Sequence, residues 1–122
     1  MRTDLGPEVT FAPERLLESC DDDADLAREV LLDFRESAPI RMSRLASAIA
    51  ELDTSLVRLE AHSIKGSSKT IGAEALAAAA SYLEEAGKEG DLSDARRMLV
   101  EAESRLNDLI LALTSYLEVD SN

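Results

Sequence analysis

Apolar residues recur every three or four positions over most of this chain, a spacing that predicts amphipathic helices. Pro13 suits the first position of a short helix, and Asp21–Asp23 offer an N-cap to a longer second helix. Pro39 interrupts the second helix, but the apolar stripe resumes in phase beyond it, so we predict one long helix kinked near that proline. The stripe consists of Leu26, Val30, Phe34, Leu45, Ile49 and Leu52.

Three further helices are predicted beyond this one. Their expected spans run from Asp53 or Thr54 to near Gly72, from about Glu74 to Ala86, and onward from a cap at Asp91 or Ser93. Residues 87–90, which have a glycine at each end, are interpreted as a turn. Short connections imply antiparallel neighbours, so the predicted fold is all-α, an antiparallel up-and-down four-helix bundle with a short extra N-terminal helix. We place the bundle at residues 13–118, a loosely ordered lead at 1–12 and a tail at 119–122.

Composition supports this class and excludes several functions. The chain of 122 residues is long enough for one domain with its own core, and aromatic residues that favour sheets are scarce. The formal charge of −12 argues against binding to nucleic acid or anionic lipid, which needs clustered cations. One cysteine, Cys20, and one histidine exclude an internal disulfide and the usual structural zinc sets.

The same features bear on where the protein is found. No apolar run approaches the roughly 20 residues that span a bilayer, and the N-terminus lacks the apolar stretch of a signal peptide. A single cysteine also fits a reducing compartment, so we expect a cytoplasmic protein. The first residue, Met1, favours a free-standing protein over a module of a larger kinase.

The only histidine, His62, lies on a basic stripe of the third helix. At about 100° per residue, positions 58, 62, 65 and 69 fall within roughly 60° of one another. These positions hold Arg58, His62, Lys65 and Lys69. The opposite side, where we expect the core, carries Val57, Ile64, Ser67 and Ile71. Glu60 also points inward, for no reason that the sequence shows.

Gly66 stands one turn after His62 and is followed by Ser67 and Ser68. This run gives up about 2 kcal/mol of helix preference, a large part of a total stability of about 5–15 kcal/mol. A glycine here leaves open space beside the imidazole, and the two serines let a neighbouring helix approach closely. The alternative is that residues 65–69 form a loop with Gly66 as a helix C-cap, although the apolar phase continues through this segment.

An exposed histidine among cations, with a gap beside it, suits phosphoryl transfer to nitrogen. A neutral imidazole is available near pH 7, and its outward nitrogen, Nε2, attacks phosphorus without a separate base. Lys65 and Lys69 offset the negative charge of the incoming group, and Gly66 leaves room for it. Taken alone, His62 would be interpreted as an ordinary surface histidine among solvated charges.

A longer run of residues carries a resemblance to a known family. The run comprises Glu60, Ala61, His62, Ser63, Ile64, Lys65, Gly66, Ser67 and Ser68, then Ile71, Gly72, Ala73 and Leu76, then Leu83 and Glu84. It resembles the signature of histidine-containing phosphotransfer (Hpt) domains, approximately A-H-x-hydrophobic-K-G-S/A-S/A, then hydrophobic-G-A-x-x-L, then a Leu-Glu pair. Residues 11–17 and 34–39 are similar to the first helices of that family, so the resemblance covers nearly the whole chain.

The resemblance implies a phosphorelay intermediate of a two-component signalling system, a carrier rather than an enzyme with its own nucleotide site. By their matching positions, His62 is the phospho-acceptor, Lys65 stabilises charge and Gly66 gives access. Glu84 matches a polar residue that orients the imidazole in this family; Glu85 or Ser81 could serve instead, or Glu84 could be a solvated surface residue.

The remaining expectations concern supporting residues and partners. Lys69 and Arg58 are expected to act in docking or through their charge, with Ser67 as a further supporting residue. The expected partners are response-regulator receiver domains, including those of hybrid histidine kinases, which dock through apolar surface of the first two helices around the site. We expect a monomer with no cofactor or metal of its own, and Mg²⁺ in the partner receiver.

Other functional classes fit the sequence less well. A catalytic histidine kinase needs an ATP-binding domain with glycine-rich phosphate loops, and no such motif is present. A phosphorylation-inactive adaptor bundle that binds a receiver or kinase is the main alternative. No Ser-His-Asp order or metal-ligand spacing can be assembled around the single histidine, which argues against hydrolases and metalloenzymes.

Overall fold

The structure, a computed structural model, describes residues 9–120 except for the side chain of Asp120. Within this range it consists of five α-helices without strands. They are α1 (Pro13–Ser19), α2 (Ala24–Ala50), α3 (Thr54–Thr70), α4 (Glu74–Glu89) and α5 (Ala95–Asp120). The four longer helices form the bundle, with α1 as the short extra helix, so the predicted all-α four-helix fold is confirmed.

Aspartates cap the N-termini of α2 and α3. The side chain of Asp23 accepts a hydrogen bond from Leu26 N at 3.0 Å, and that of Asp53 accepts one from Leu56 N at 3.1 Å. Each satisfies a donor that the first helical turn leaves unpaired. α2 continues through Pro39 as one helix, as predicted, and Pro13 occupies the first turn of α1.

The core lies between the four long helices, and one detail of the predicted α2 stripe is wrong. Leu26 is exposed, and Leu52, between α2 and α3, is 70% exposed with a left-handed φ of 58°. Small residues occupy core positions that a stripe drawn from large side chains overlooks. The buried positions of α2 are Ala27, Leu31, Phe34, Ala38, Met42, Leu45, Ala48 and Ile49.

The predicted end of α4 is also wrong, and the reason lies in another helix. α4 does not stop at Ala86 but continues to Glu89, and Gly90, with a left-handed φ of 75°, forms its C-cap. Gly87 is a buried residue inside the helix, where a β-carbon would lie 2.7 Å from Arg58 N. Gly87 therefore permits close contact between α3 and α4, which pack against each other more extensively than any other pair of helices.

The connections between helices differ from the prediction in smaller ways. Neither expected cap of α5 directly precedes Ala95; that position is held by Asp94, whose carbonyl accepts a hydrogen bond from Met98 N. The Asp91 carboxylate instead accepts a hydrogen bond from Ser93 N within the loop.

The ends of the described range only partly cover the predicted lead and tail. Residues 1–8 of the expected lead, and 121–122 of the tail, lie outside the described range. In the remainder of the lead, Val9 O accepts a hydrogen bond from Ala75 N, and the Phe11 ring packs edge-on against Tyr116. No helix between residues 9 and 120 combines the length and apolar character needed to cross a membrane.

Candidate functional site

His62 lies on the exposed side of α3, near the middle of the helix. Its side chain is 64% exposed, while Ala61 and Ile64 beside it are buried. α3 remains helical from Thr54 to Thr70, so the alternative in which residues 65–69 form a loop is wrong. The imidazole is therefore presented to solvent from a rigid element.

A carboxylate from the neighbouring helix fixes the ring. Glu84, on α4, places Oε2 2.8 Å from His62 Nδ1. An ionised carboxylate only accepts hydrogen bonds, so Nδ1 carries the proton in this contact. In the neutral ring, the lone pair is then on Nε2, which has no hydrogen-bond partner among residues 9–120. Of the three candidates for contact with the imidazole, the structure places Glu84 there, not Glu85 or Ser81.

The same carboxylate also binds a lysine. Lys65 Nζ lies 2.5 Å from Glu84 Oε1, so each carboxylate oxygen faces one member of α3. The side chain of Glu84 is only 17% exposed and that of Lys65 23%. Hydrogen bonding to Lys65 lowers the pKa of Glu84 below its ordinary value of 4.5, with His62 adding to the effect and burial opposing it. Glu84 is thus a carboxylate at neutral pH.

Gly66 leaves open space one turn from the histidine. A β-carbon built on Gly66 meets no atom within 4 Å, and the residue is exposed. The two serines that follow differ from each other. Ser67, predicted on the core side, is exposed and donates a hydrogen bond to Ser63 O at 3.0 Å, whereas Ser68 is fully buried. Ser68 follows the buried Ile64 by four residues and so lies near the centre of the buried side of α3, and Ser67, about 100° away, lies at its edge.

Arg58 and Lys69 lie on the same side of α3 as His62 and are exposed. Neither forms an ion pair within the described part of the chain. Of the three cations predicted beside the histidine, Lys65 alone has an ion-pair partner among residues 9–120. Residues 9–120 contain no group of three or more His, Cys, Asp or Glu side chains that could bind a metal ion.

Glu60 has a partner that the sequence did not indicate. Its side chain is 9% exposed, and Oε1 lies 3.4 Å from Nη1 of Arg41 on α2. The inward direction of this carboxylate is therefore explained by a tertiary contact, which spacing along α3 could not show. The pair joins α2 to α3 beside the segment that carries His62.

Comparison with known proteins agrees with this architecture. Histidine-containing phosphotransfer protein B (HptB) from Pseudomonas aeruginosa PAO1 aligns with a TM-score of 0.84 and 23% identity, over 92% of this chain and 97% of that one. The Hpt domain of an Hpt sensor hybrid histidine kinase from Shewanella aligns with a TM-score of 0.79 and 20% identity, over 89% and 94%. At these identities the two structures show the shared fold.

The family itself is shown by the sequence. No curated protein matches the chain. The sequence model of the Hpt domain, however, matches residues 29–116, well over half of the chain and including the whole of α3 and α4. The chain therefore belongs to the Hpt domain family.

Proposed function

We propose that His62 carries a phosphoryl group between the aspartates of receiver domains. As an Hpt domain, the chain is a phosphotransfer intermediate of two-component signalling. The observation that supports His62 as the acceptor is its exposed imidazole, whose Nδ1 is hydrogen bonded to Glu84 and whose Nε2 has no hydrogen-bond partner in the described part of the chain. Nε2 is then the nucleophile, and its lone pair is available without removal of a proton.

The transfer step balances with the groups present. The lone pair of Nε2 forms a bond to phosphorus while the bond from phosphorus to the aspartyl oxygen of the donor breaks. The proton on Nδ1 stays in place, so the ring becomes positively charged as it accepts the phosphoryl group. The Glu84 carboxylate, 2.8 Å from Nδ1, stabilises that positive charge. Reversal of the same step onto a second receiver regenerates the neutral ring.

Lys65 and Gly66 accommodate the phosphoryl group. Lys65 lies about one helical turn after His62, and its ammonium group forms an ion pair with Glu84, which also contacts the imidazole. In this position the ammonium group offsets the negative charge of the phosphoryl group. The open space at Gly66 receives the phosphoryl oxygens and the active-site loop of the partner. The exposed Arg58 and Lys69 extend the positive field along α3 and attract an acidic partner surface.

The partner is a receiver domain, in keeping with the family. Two exposed apolar residues flank the site on adjacent helices: Leu59 on α3 and Ile40 on α2, each 56% exposed. They neighbour Glu60 and Arg41, whose ion pair joins the two helices. We infer that the receiver covers this apolar surface, with Mg²⁺ held on its own side of the interface.

The acceptor is tested by transfer from a phosphorylated receiver. Wild-type protein should gain label that is labile in acid and stable in base, and His62→Gln should gain none. Equal labelling of the two would remove His62 from the proposal. Incubation with ATP and Mg²⁺ alone should label neither, because a carrier has no nucleotide site. A wild-type chain that binds receivers but never takes label would be a phosphorylation-inactive adaptor instead.

Docking is tested separately from acceptance. Leu59→Glu should slow transfer from a receiver, whereas labelling by phosphoramidate, a donor too small to need the surface, should be unchanged. Leu111→Glu is the matched control, since Leu111 is also an exposed leucine but lies on α5. If both variants accept phosphoryl groups from the receiver at the wild-type rate, the docking surface is assigned incorrectly.

A further inference from the structure

We propose that Gly87 is a positioning residue for His62, because it brings α4 close enough to α3 for Glu84 to reach the imidazole. The inference rests on the proposed function for its effect on transfer. Its geometric part, the control of the His62 tautomer, stands without it. Nothing in the local sequence distinguishes this glycine from one in a turn, and only the packing of the two helices shows its role.

The contact at Gly87 is between backbones. A β-carbon there would lie 2.7 Å from Arg58 N, 2.8 Å from Thr54 O and 3.1 Å from Arg58 Cα. None of these atoms belongs to a side chain that could rotate away. Ordinary van der Waals contact begins near 3.4 Å, so any side chain at this position forces the two helices apart by several tenths of an ångström. Glycine is unfavourable inside a helix relative to alanine, which makes close approach the reason for its presence here.

The contact between Gly87 and Arg58 lies close to the pair formed by Glu84 and His62. Gly87 lies three residues after Glu84 on α4, and Arg58 lies four residues before His62 on α3. The backbone contact is therefore about one turn away from the pair on both helices. The two distances that it maintains are short, 2.8 Å from Glu84 Oε2 to His62 Nδ1 and 2.5 Å from Oε1 to Lys65 Nζ. Separation of the helices by several tenths of an ångström takes the His62 contact to the weak end of the hydrogen-bond range, whereas the ion pair with Lys65 relaxes to about 3 Å and survives.

Loss of the Glu84 contact has a direct chemical signature. With Nδ1–H bound to a carboxylate, the neutral ring is held in the tautomer whose Nε2 is nucleophilic. Without that acceptor both tautomers become populated, and part of the protein carries its proton on the nitrogen that must attack. The chain contains one histidine, so the ¹⁵N resonances of the imidazole report on His62 alone.

The test combines ¹⁵N NMR of the ring with single-turnover transfer from a phosphorylated receiver. Gly87→Ala should shift the neutral ring from the Nδ1–H form towards a mixture and slow transfer about tenfold, as expected for loss of one charge-assisted hydrogen bond. An unchanged tautomer in folded Gly87→Ala would overturn the proposal. If Gly87→Ala does not fold, Glu84→Asp serves as the second variant, because its shorter side chain also withdraws the carboxylate from His62. It should give the same shift towards a mixture of tautomers, and an unchanged tautomer in Glu84→Asp would equally overturn the proposal.

A double-mutant cycle separates positioning from general destabilisation. In a Glu84→Ala background, Gly87→Ala should change neither the tautomer nor the transfer rate further, although it should still lower the midpoint of unfolding. A rate loss in that background equal to the loss in wild type would show that Gly87 acts by another route. If wild-type protein takes no label, the proposed function fails, while the tautomer measurements still decide the role of Gly87.

Discussion

Replacement of Gly66 by alanine should make the protein more stable. The residue lies within α3, is exposed, and its added β-carbon meets no atom within 4 Å. The substitution therefore carries the helix-propensity gain of alanine over glycine, about 1 kcal/mol, without a steric cost. This corresponds to a roughly fivefold change in the folding equilibrium and a rise of about 4 °C in Tm.

The same position should show the opposite effect on transfer. A side chain at Gly66 fills the open space one turn from His62, where the phosphoryl group and the partner loop are proposed to enter. Forcing extra atoms into a packed interface costs about 1–3 kcal/mol, so Gly66→Met should slow transfer by roughly 5- to 150-fold with helicity unchanged. Gly66→Ala should lie between wild type and Gly66→Met. Stability and rate thus change in opposite directions.

Thermal and urea unfolding, followed by circular dichroism, measure the first effect, and single-turnover transfer measures the second. Ser104→Ala is the control, because Ser104 is an exposed helical residue on α5 and should gain about 0.5 kcal/mol without any change in rate. Destabilisation by Gly66→Ala would contradict the open space seen at this residue. Transfer by Gly66→Met at the wild-type rate would refute the access role.

Three other substitutions test the packing and the charges around the site. Leu52→Asn should raise the free energy of unfolding by about 0.5 kcal/mol, because Leu52 is exposed and has a φ of 58°, and asparagine tolerates this left-handed region better than leucine. Arg41→Ala should destabilise by about 1–3 kcal/mol, because it leaves the buried Glu60 carboxylate without its partner. Glu84→Gln should lower the free energy of unfolding at neutral pH, and the difference in unfolding free energy between this variant and wild type should become smaller as the pH falls below about 4.5.

The sign of that pH dependence follows from the direction of the shift. Lys65 lowers the pKa of Glu84 in the folded state, so the unfolded chain takes up the proton first as the solution is acidified. The contribution of Glu84 is present above its ordinary value of 4.5 and is lost as the pH falls through the lower, folded value. Urea unfolding at several pH values measures it. A difference between Glu84→Gln and wild type that widens in acid would contradict the ion pair with Lys65.

Controls for the other two substitutions are available in the chain. Leu111 is also 70% exposed but lies inside α5, so Leu111→Asn should destabilise slightly where Leu52→Asn stabilises. Arg41→Ala combined with Glu60→Gln should be less destabilised than Arg41→Ala alone, because no unpaired carboxylate remains. If urea unfolding ranks either pair in the reverse order, the corresponding local explanation is wrong.

Sequence spacing predicted the helices and the exposed histidine because both depend on local order along the chain. The in-phase residues of α3 were sufficient to show that Gly66 does not end the helix. Spacing limited the start of α3 to Asp53 or Thr54, and the structure places the N-cap at Asp53. The choice among Glu84, Glu85 and Ser81 relied on the family resemblance, and the contact with His62 is made by Glu84.

Contacts between helices could not be predicted in the same way. Gly87 and Gly90 are indistinguishable by local composition, yet one permits backbone contact with α3 and the other ends α4. Arg41 and Glu60 lie on different helices, and only the packing of α2 against α3 brings them together. The burial of Ser68, by contrast, follows from local spacing, because Ser68 is four residues after the buried Ile64 and shares its side of α3, whereas the exposed Ser67 is about 100° away.

Phosphoryl transfer at Nε2 of His62 is tested most directly by ³¹P and ¹⁵N NMR of the ¹⁵N-labelled protein after incubation with a phosphorylated receiver. We expect one phosphohistidine signal whose phosphorus is coupled to Nε2, while Nδ1 keeps its proton. A phosphorus coupled to Nδ1, or label on any other residue, would contradict transfer at Nε2.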